Sequence, residues 1–450
     1  MGFLAAESEG SPESWRRAPP TGRRSRSRRR AGKPARSKGA RRRRIPRPPR
    51  GAPTRPSAKS KNPQAKVDLA IEDPDTRARM RRAVDLGLRY ISRRQTEPDG
   101  SITMAGNDPA VDHRAPFAVT AIAALAYMAD GNSETRGPHC SQLKRAIDYI
   151  VGKANFDPDG IGAYLGADGD MLSRMHGHGY ATLALAEVLG MGARLRARSR
   201  REDPARAHGG GPQDRDDSRG FGGWYYKPTK DLEHEGSVTI TLVQALRAAR
   251  NVGIAVDAEV IKRAVEYVRQ SQVKELALAD SGAFRYRLQS HETSLALTAA
   301  AIATLNATGD YDSENIDRGI RYMLKELKSP TRENLNWRLY KFPAYEQLYL
   351  AQAFLQYRDF DLFAQWYRRE VPRILNRQKV RVLENQQEEG FWDDDPFGSV
   401  FTTAIEMHRA ADGGFLPSDP PALSARRGEA PSARTRRPRR FGRHPECVRV

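Results

Sequence analysis

The sequence predicts an all-α fold in which alternating outer and inner helices close into an α/α toroid of the α6/α6 barrel type. Three observations predict it: a recurring tyrosine-bearing helix, a recurring apolar helix that stops at glycine, and the contrast between the two. The tyrosine helix reads small-apolar-x-Tyr-apolar, at Gly87-Leu88-Arg89-Tyr90-Ile91, Ala146-Ile147-Asp148-Tyr149-Ile150, Ala264-Val265-Glu266-Tyr267-Val268 and Gly319-Ile320-Arg321-Tyr322-Met323. Its tyrosines lie 59, 118 and 55 residues apart, so one unit is 55–60 residues and the middle gap holds two.

The second helix of each unit falls near residues 116–129, 179–189, 237–251 and 292–307. Each stops at a glycine, Gly131, Gly190, Gly253 or Gly309, and these stops are spaced 59, 63 and 56 residues. Asp257 and Asp312 stand where the following first helices need N-caps. First helices are amphipathic: around Tyr267, the charges Lys262, Arg263, Glu266 and Arg269 share the polar side. Second helices are apolar on every face, which marks them as buried. About six such pairs, amphipathic outside and apolar inside, favour closure over an open solenoid. The last pair reads as residues 345–356 and 361–378, with a final helix starting at Gly398-Ser399-Val400.

Charge divides the chain. The whole carries +21, yet residues 1–65 hold +17, residues 192–219 hold +3 and residues 405–450 hold +5, leaving −4 on the repeats. The repeat domain is therefore residues 66–404, interrupted at 192–219. Residues 1–65 and 405–450 are Arg/Pro-rich segments whose composition cannot bury a core. Their arginine runs, such as Arg41 to Arg44, carry almost no aromatic residues, so no specific nucleic-acid binding is expected. Two cysteines, Cys140 and Cys447, leave no disulfide framework or multi-cysteine metal site. No apolar run is long enough for a transmembrane helix, and the start of the chain lacks the apolar core of a signal peptide. The expectation is a cytoplasmic protein by default, with no cofactor and an oligomeric state the sequence leaves open.

The period places a tyrosine helix near position 208, where the chain reads instead His208-Gly209-Gly210-Gly211-Pro212. Residues 192–219 and 405–450 contain 18 Arg and no Lys, whereas the repeats use both. We read these stretches as out-of-frame translation of a GC-rich gene, and much of residues 1–65 as the same or as an untranslated leader; a real loop and real basic tails are the alternative. Resequencing the coding DNA is expected to reveal another frame that restores a helix with an aromatic residue near 208 and an apolar helix beyond 404. An open written frame with no such alternative would refute that reading.

Between paired helices sits a Gln…Gly…aromatic element: Gln95…Gly100, Gly222-Gly223-Trp224, Gln272…Gly282-Ala283-Phe284 and Gln378…Gly390-Phe391-Trp392. It resembles a degenerate form of the glutamine-tryptophan repeat of the prenyltransferase and squalene (terpenoid) cyclase superfamily, over roughly residues 84–404. The resemblance implies a hydrophobic, isoprenoid-type ligand in the central cavity, with turnover left open. A non-catalytic toroid that binds protein or glycan is the alternative.

The resemblance also implies two chemistries. Terpenoid cyclases protonate an alkene with an Asp-x-Asp-Asp motif, matched here only by Asp214-Arg215-Asp216-Asp217 in the interrupted segment. Protein prenyltransferases bind zinc through Asp, Cys and His; here Cys140 follows His139 in a Gly137-Pro138 turn, reads as a surface cysteine, and has no Asp-x-Cys partner. Trp392-Asp393-Asp394-Asp395 offers Asp393 and Asp395 as catalytic acids or as ligands of a magnesium diphosphate, against a plain turn or N-cap role. Asp168-Gly169-Asp170 and Glu233-His234-Glu235 read as exposed loop charges. His178 and Tyr180, just after His176, start an inner helix and are expected at the cavity mouth. Trp224, Tyr225, Tyr226, Phe284, Tyr286, Tyr345, Tyr349 and Trp392 all fall in turns before inner helices or near their starts. They are candidates to line an apolar hole and face a cation, or else to pack the repeat.

Overall fold

The computed structural model describes residues 70–411 apart from 72, 103–114, 157–162, 167–173, 192–221, 228–233, 312, 330–341 and 394–396. Among the described residues eleven helices carry the fold, joined by three two-stranded antiparallel hairpins, all within the unit Ser60–Val450. No helix there is long and apolar enough to cross a membrane.

The amphipathic helices are α1 (Pro74–Arg94), α3 (Cys140–Gly152), α6 (Ala258–Gln270), α8 (Glu314–Leu327) and α10 (Phe360–Arg377). The apolar ones are α2 (Pro116–Ala129), α4 (Arg174–Met191), α5 (Gly236–Asn251), α7 (Leu295–Ala307) and α9 (Pro343–Gln356), followed by α11 (Gly398–Ala411). Local chemistry sets their starts. The Asp73 carboxylate accepts the Thr76 N–H at 2.9 Å with Pro74 in the first turn, Asp257 accepts the Glu259 N–H at 2.8 Å, and Ser294 accepts the Leu297 N–H at 3.1 Å. The cap of α8 is Ser313, whereas Asp312 lies outside the described residues. Gly131, Gly253 and Gly309 do take the left-handed conformation of helix stops, with φ of 80°, 91° and 97°.

Helix α4 starts five residues earlier than the apolar pattern suggested, running through His176-Gly177-His178-Gly179. The reason is packing. A Cβ on Gly179 would sit 2.7 Å from the Thr241 methyl, so glycine there lets α4 close on α5.

Each apolar helix packs on the next, α2 on α4, α4 on α5, α5 on α7, α7 on α9 and α9 on α11, and α11 returns to α2. The amphipathic helices back this circuit: α3 on α2, α6 on α5 and α7, α8 on α7, α10 on α9 and α11, and α1 on α11 and α2. The position of a sixth amphipathic helix, between α4 and α5 in the chain, falls outside the described residues.

The glutamine-glycine element proves to be a three-part lock between layers. Gln95 donates its amide to the carbonyls of Gly100 (2.8 Å) and of Gln142 in α3 (3.1 Å). Gln272 does the same to Gly282 (3.0 Å) and to Asn315 in α8 (2.8 Å), and Gln378 donates to Ala83 in α1 (2.8 Å). Each glutamine thus ends one amphipathic helix and ties it to the next, with the last tied to the first. The residue two places after the first and third of these glycines, and after Gly222 and Gly390, then turns its backbone N–H to an apolar helix. Ile102, Trp224, Phe284 and Trp392 donate to Thr120, Thr239, Thr298 and Thr403 at 2.8, 2.9, 3.1 and 3.0 Å. At α4 the threonine is replaced by His178, whose Nδ1 accepts the Leu165 N–H at 3.1 Å. Each of these buried bonds contributes roughly 0.5–1.5 kcal/mol, and losing one partner costs more because the other stays desolvated.

The hairpins went unforeseen: β1 (Ala154–Phe156) with β2 (Ala163–Leu165), β3 (Phe284–Arg285) with β4 (Thr293–Ser294), and β5 (Lys379–Val382) with β6 (Glu388–Phe391). They are short, and their pairing is set by the lock around them more than by an alternating pattern. The last one lies against α1, where the Tyr90 ring stacks on Phe391 at 4.8 Å and the Tyr90 hydroxyl bonds Ser399 at 2.6 Å.

Candidate functional site: a buried acid among tyrosines

The inner faces of α4, α5 and α9 carry polar residues at helical spacing on otherwise apolar helices. Helix α4 contributes His176, Tyr180 and Glu187; α5 contributes Ser237, Thr241 and Gln244; α9 contributes Tyr345, Tyr349 and Gln352. The Tyr349 hydroxyl donates to Gln244 Oε1 at 3.4 Å, and Gln244 Nε2 reaches Gln352 Oε1 at 3.5 Å and Thr304 Oγ1 in α7 at 3.4 Å. The Tyr349–Gln244 and Gln244–Gln352 bonds thus join α5 to α9, two helices with α7 between them in the circuit. Burial pushes the Tyr349 phenol up to about 12 in spite of the Thr241 and Tyr180 hydroxyls around it.

Toward the N-terminal end of α5 the centre of the arrangement is Glu235. It is fully buried and caps the helix, accepting the N–H groups of Ser237 (2.7 Å) and Val238 (2.8 Å) and the Ser237 hydroxyl (2.6 Å). Three such donors and the nearby Arg287 favour the carboxylate, but burial outweighs them, and the Glu235 carboxyl is pushed up to about 7. Two backbone links fix it: its N–H donates to the Trp224 carbonyl at 2.8 Å, and the Gly236 N–H donates to the Tyr286 carbonyl at 2.8 Å. Those links draw Tyr226 and Tyr286 together, hydroxyl to hydroxyl. The Tyr286 phenol is pushed up to about 12 by burial and by the Glu235 charge, and Tyr226 moves further the same way for the same two reasons. The Arg287 guanidinium lies 5.3 Å from the Tyr225 ring and donates to its hydroxyl at 3.2 Å.

The ring of His176 lies 6.2 Å from Tyr180 and 6.1 Å from Tyr226, and Tyr345 lies 4.6 Å from Tyr349. Burial lowers His176 to about 3, so it is neutral at physiological pH. His234 bonds the Tyr267 hydroxyl at 2.9 Å behind Glu235. Glu187, deeper along α4, is pushed up to about 7 by burial alone. The result is a carboxyl that exchanges its proton near neutrality, set among tyrosine rings, which is the equipment of a general acid or base.

These positions correct several expectations. Glu235 and His234 are buried and are no exposed loop charges; the sequence signal that marks Glu235 is its place before Gly236-Ser237 at a helix start. Cys140 is buried at the first turn of α3 and is no surface cysteine. Trp224, Phe284 and Trp392 are almost wholly buried in the lock, with the Trp392 indole donating to the Ile374 carbonyl of α10 at 2.9 Å. His178 is likewise held in the lock and stacks on Tyr164 at 5.5 Å. Of the aromatics singled out in the sequence, Tyr226, Tyr286 and Tyr345 feel the charge of Glu235, whereas Tyr225 lies against Tyr226, and Tyr180 and Tyr349 interact with Tyr345 or with each other. Asp393 stands partly exposed at the turn after β6 and pairs with Lys379, while Asp395 and the Asp214-Arg215-Asp216-Asp217 run lie outside the described residues. No group of three or more His, Cys, Asp or Glu converges as a metal site among the described residues. The chain matches no family model and no curated protein.

Proposed function

We propose that the circuit of apolar helices is the inner wall of an α/α toroid that holds a hydrophobic, isoprenoid-type ligand against the tyrosine cluster. The observation that carries this reading is the placing of Glu235, a fully buried carboxyl whose proton affinity burial raises, within electrostatic reach of Tyr226, Tyr286 and Tyr345. Tyrosine faces suit an apolar chain and any positive charge developing on it. If the ligand is turned over, Glu235 is the acid best placed to give a proton, ahead of Asp393, whose charge Lys379 already meets at the surface.

Native mass spectrometry after soaking with squalene or a polyprenyl diphosphate tests the reading. Retention of one chain per protein is expected, falling at least about tenfold in the Tyr180→Ala, Tyr345→Ala double variant, because each tyrosine offers a large apolar face. An empty protein under all conditions would sink the proposal. The second reading, a non-catalytic scaffold, is favoured by the Gln244–Gln352–Thr304 bonds that fill part of the enclosed space. It predicts the empty outcome together with a bound protein or glycan.

A further inference from the structure

Two adjoining outer helices break the charge balance of the repeats. Helix α1 carries seven arginines against Asp75 and Asp85, and α10 carries four against Asp361 and Glu370, a joint +7. Since the repeats as a whole hold −4, everything else in them holds −11. The two helices lie side by side: Arg368 donates to the Ala70 carbonyl at 2.6 Å just before α1, and Gln378 to Ala83 within it. Their outward residues include Arg77, Arg79, Arg81, Arg82 and Arg89 on α1, and Arg368, Arg369 and Arg373 on α10, all exposed.

Internal pairing leaves a surplus. Arg81 meets Asp85 and Asp130, and Arg82 meets Glu388. Arg369 and Arg373 share the single carboxylate of Glu370, at 3.3 and 3.0 Å. Arg79 and Arg89 make no ion pair with any described residue. From Arg77 to Arg89, α1 spreads its outward arginines along roughly 18 Å of helix, a broad face with no pocket-like focus. Beside it, strand β5 pairs on one edge only and exposes Val380 and Val382 at 50% and 59%.

We infer that the outward face of α1 and α10 docks the protein on an anionic lipid surface, with the β5 valines meeting the headgroup layer. Spread arginines suit a field of lipid phosphates, and small exposed apolar groups beside them suit a bilayer better than a nucleic-acid groove. The choice of lipid over an acidic protein rests on the reading of the ligand as isoprenoid-type, since such a chain reaches a protein from a bilayer.

The test is flotation of the full chain with phosphatidylglycerol-containing vesicles and with pure phosphatidylcholine vesicles, at low and at high salt. Binding to the anionic vesicles alone is expected, weakened by salt, and reduced about a hundredfold by Arg79→Glu, Arg89→Glu, Arg373→Glu together. The control reverses the same number of charges elsewhere, Lys144→Glu, Lys262→Glu, Lys325→Glu, and should lose little. Equal loss in both triple variants, or none in either, would mean that net charge or the basic segments outside the repeats do the binding, and the inference falls. It also falls if the α1–α10 variant abolishes only self-association or DNA binding. Ligand retention by mass spectrometry in a protein that ignores vesicles would end this inference and leave the proposed function standing.

Discussion

Replacing Glu235 by glutamine is expected to remove a contribution to stability that is lost as pH rises from about 5 to about 8. The sign follows from the direction of the shift. In the unfolded chain the carboxyl ionises near 4.5, whereas in the folded protein it holds its proton to about 7. Between those values the folded state binds the extra proton, so the contribution is whole below 4.5 and lost as pH climbs through 7. A shift of that size corresponds to about 3 kcal/mol at full ionisation. Glutamine has nothing to titrate, but its one oxygen replaces only one of the two carboxylate oxygens that accept the Ser237 and Val238 N–H groups, so a loss independent of pH accompanies the change of slope. Glu187 shifts the same way and buried His176 the opposite way, so the reading is the difference between proteins: the slope should change in Glu235→Gln and change again in the same direction in the double variant with Glu187→Gln. Urea unfolding of the three proteins at several pH values reads this directly. Parallel slopes for wild type and Glu235→Gln would show that Glu235 is not the group holding the proton.

The second large effect is expected at Gly282, and Gly309 supplies its control. Both take the left-handed conformation, with φ of 92° and 97°. A Cβ at Gly282 would lie 2.5 Å from the backbone oxygen of Arg318 in α8, whereas one at Gly309 would meet nothing within 4 Å. Gly309→Ala should therefore cost only the left-handed penalty, about 1–2 kcal/mol. Gly282→Ala adds a collision with a helix backbone that cannot step aside, and it disturbs the Gln272 bonds on the same turn; on the order of 3 kcal/mol or more is expected. Chemical denaturation midpoints compare the two. Equal losses would mean that the layers are looser at the lock than their distances imply. The same geometry at Gly100 and Gly222, whose Cβ would meet the Arg145 and Arg263 oxygens at 2.5 Å, makes the result general to the repeat.

Much of the architecture was legible in the residues because it rests on local, periodic chemistry. The tyrosine spacing, the glycine stops and the split into amphipathic and all-apolar helices follow from what each helix must bury. They announced helices α1 to α3 and α5 to α11 close to where they lie. The Gln…Gly…aromatic element was visible as a pattern, and its residues do tie the layers together. Whether Trp224, Phe284 and Trp392 line a cavity or pack the repeat was left open by the residues for a physical reason. A pattern shows that an aromatic residue precedes an inner helix, but not whether its ring turns inward or is held between layers by the helices on both sides.

The site was harder to see because its members come from separate parts of the chain. Sequence gave Glu235 the look of a loop charge: it stands next to His234 and Glu233 in a polar stretch. Only the folded protein buries it completely, which raises its proton affinity, and brings Tyr226, Tyr267, Tyr286 and Tyr345 from four different segments within reach of its charge. The same holds for Gln244 and Gln352, which are 108 residues apart and meet between α5 and α9. Repetition and amphipathicity, being properties of neighbours in the chain, fixed the helices and their two layers. Burial of a particular carboxyl, and the partners that meet it, depend on which distant segments pack together, and that was decided by the tertiary structure alone.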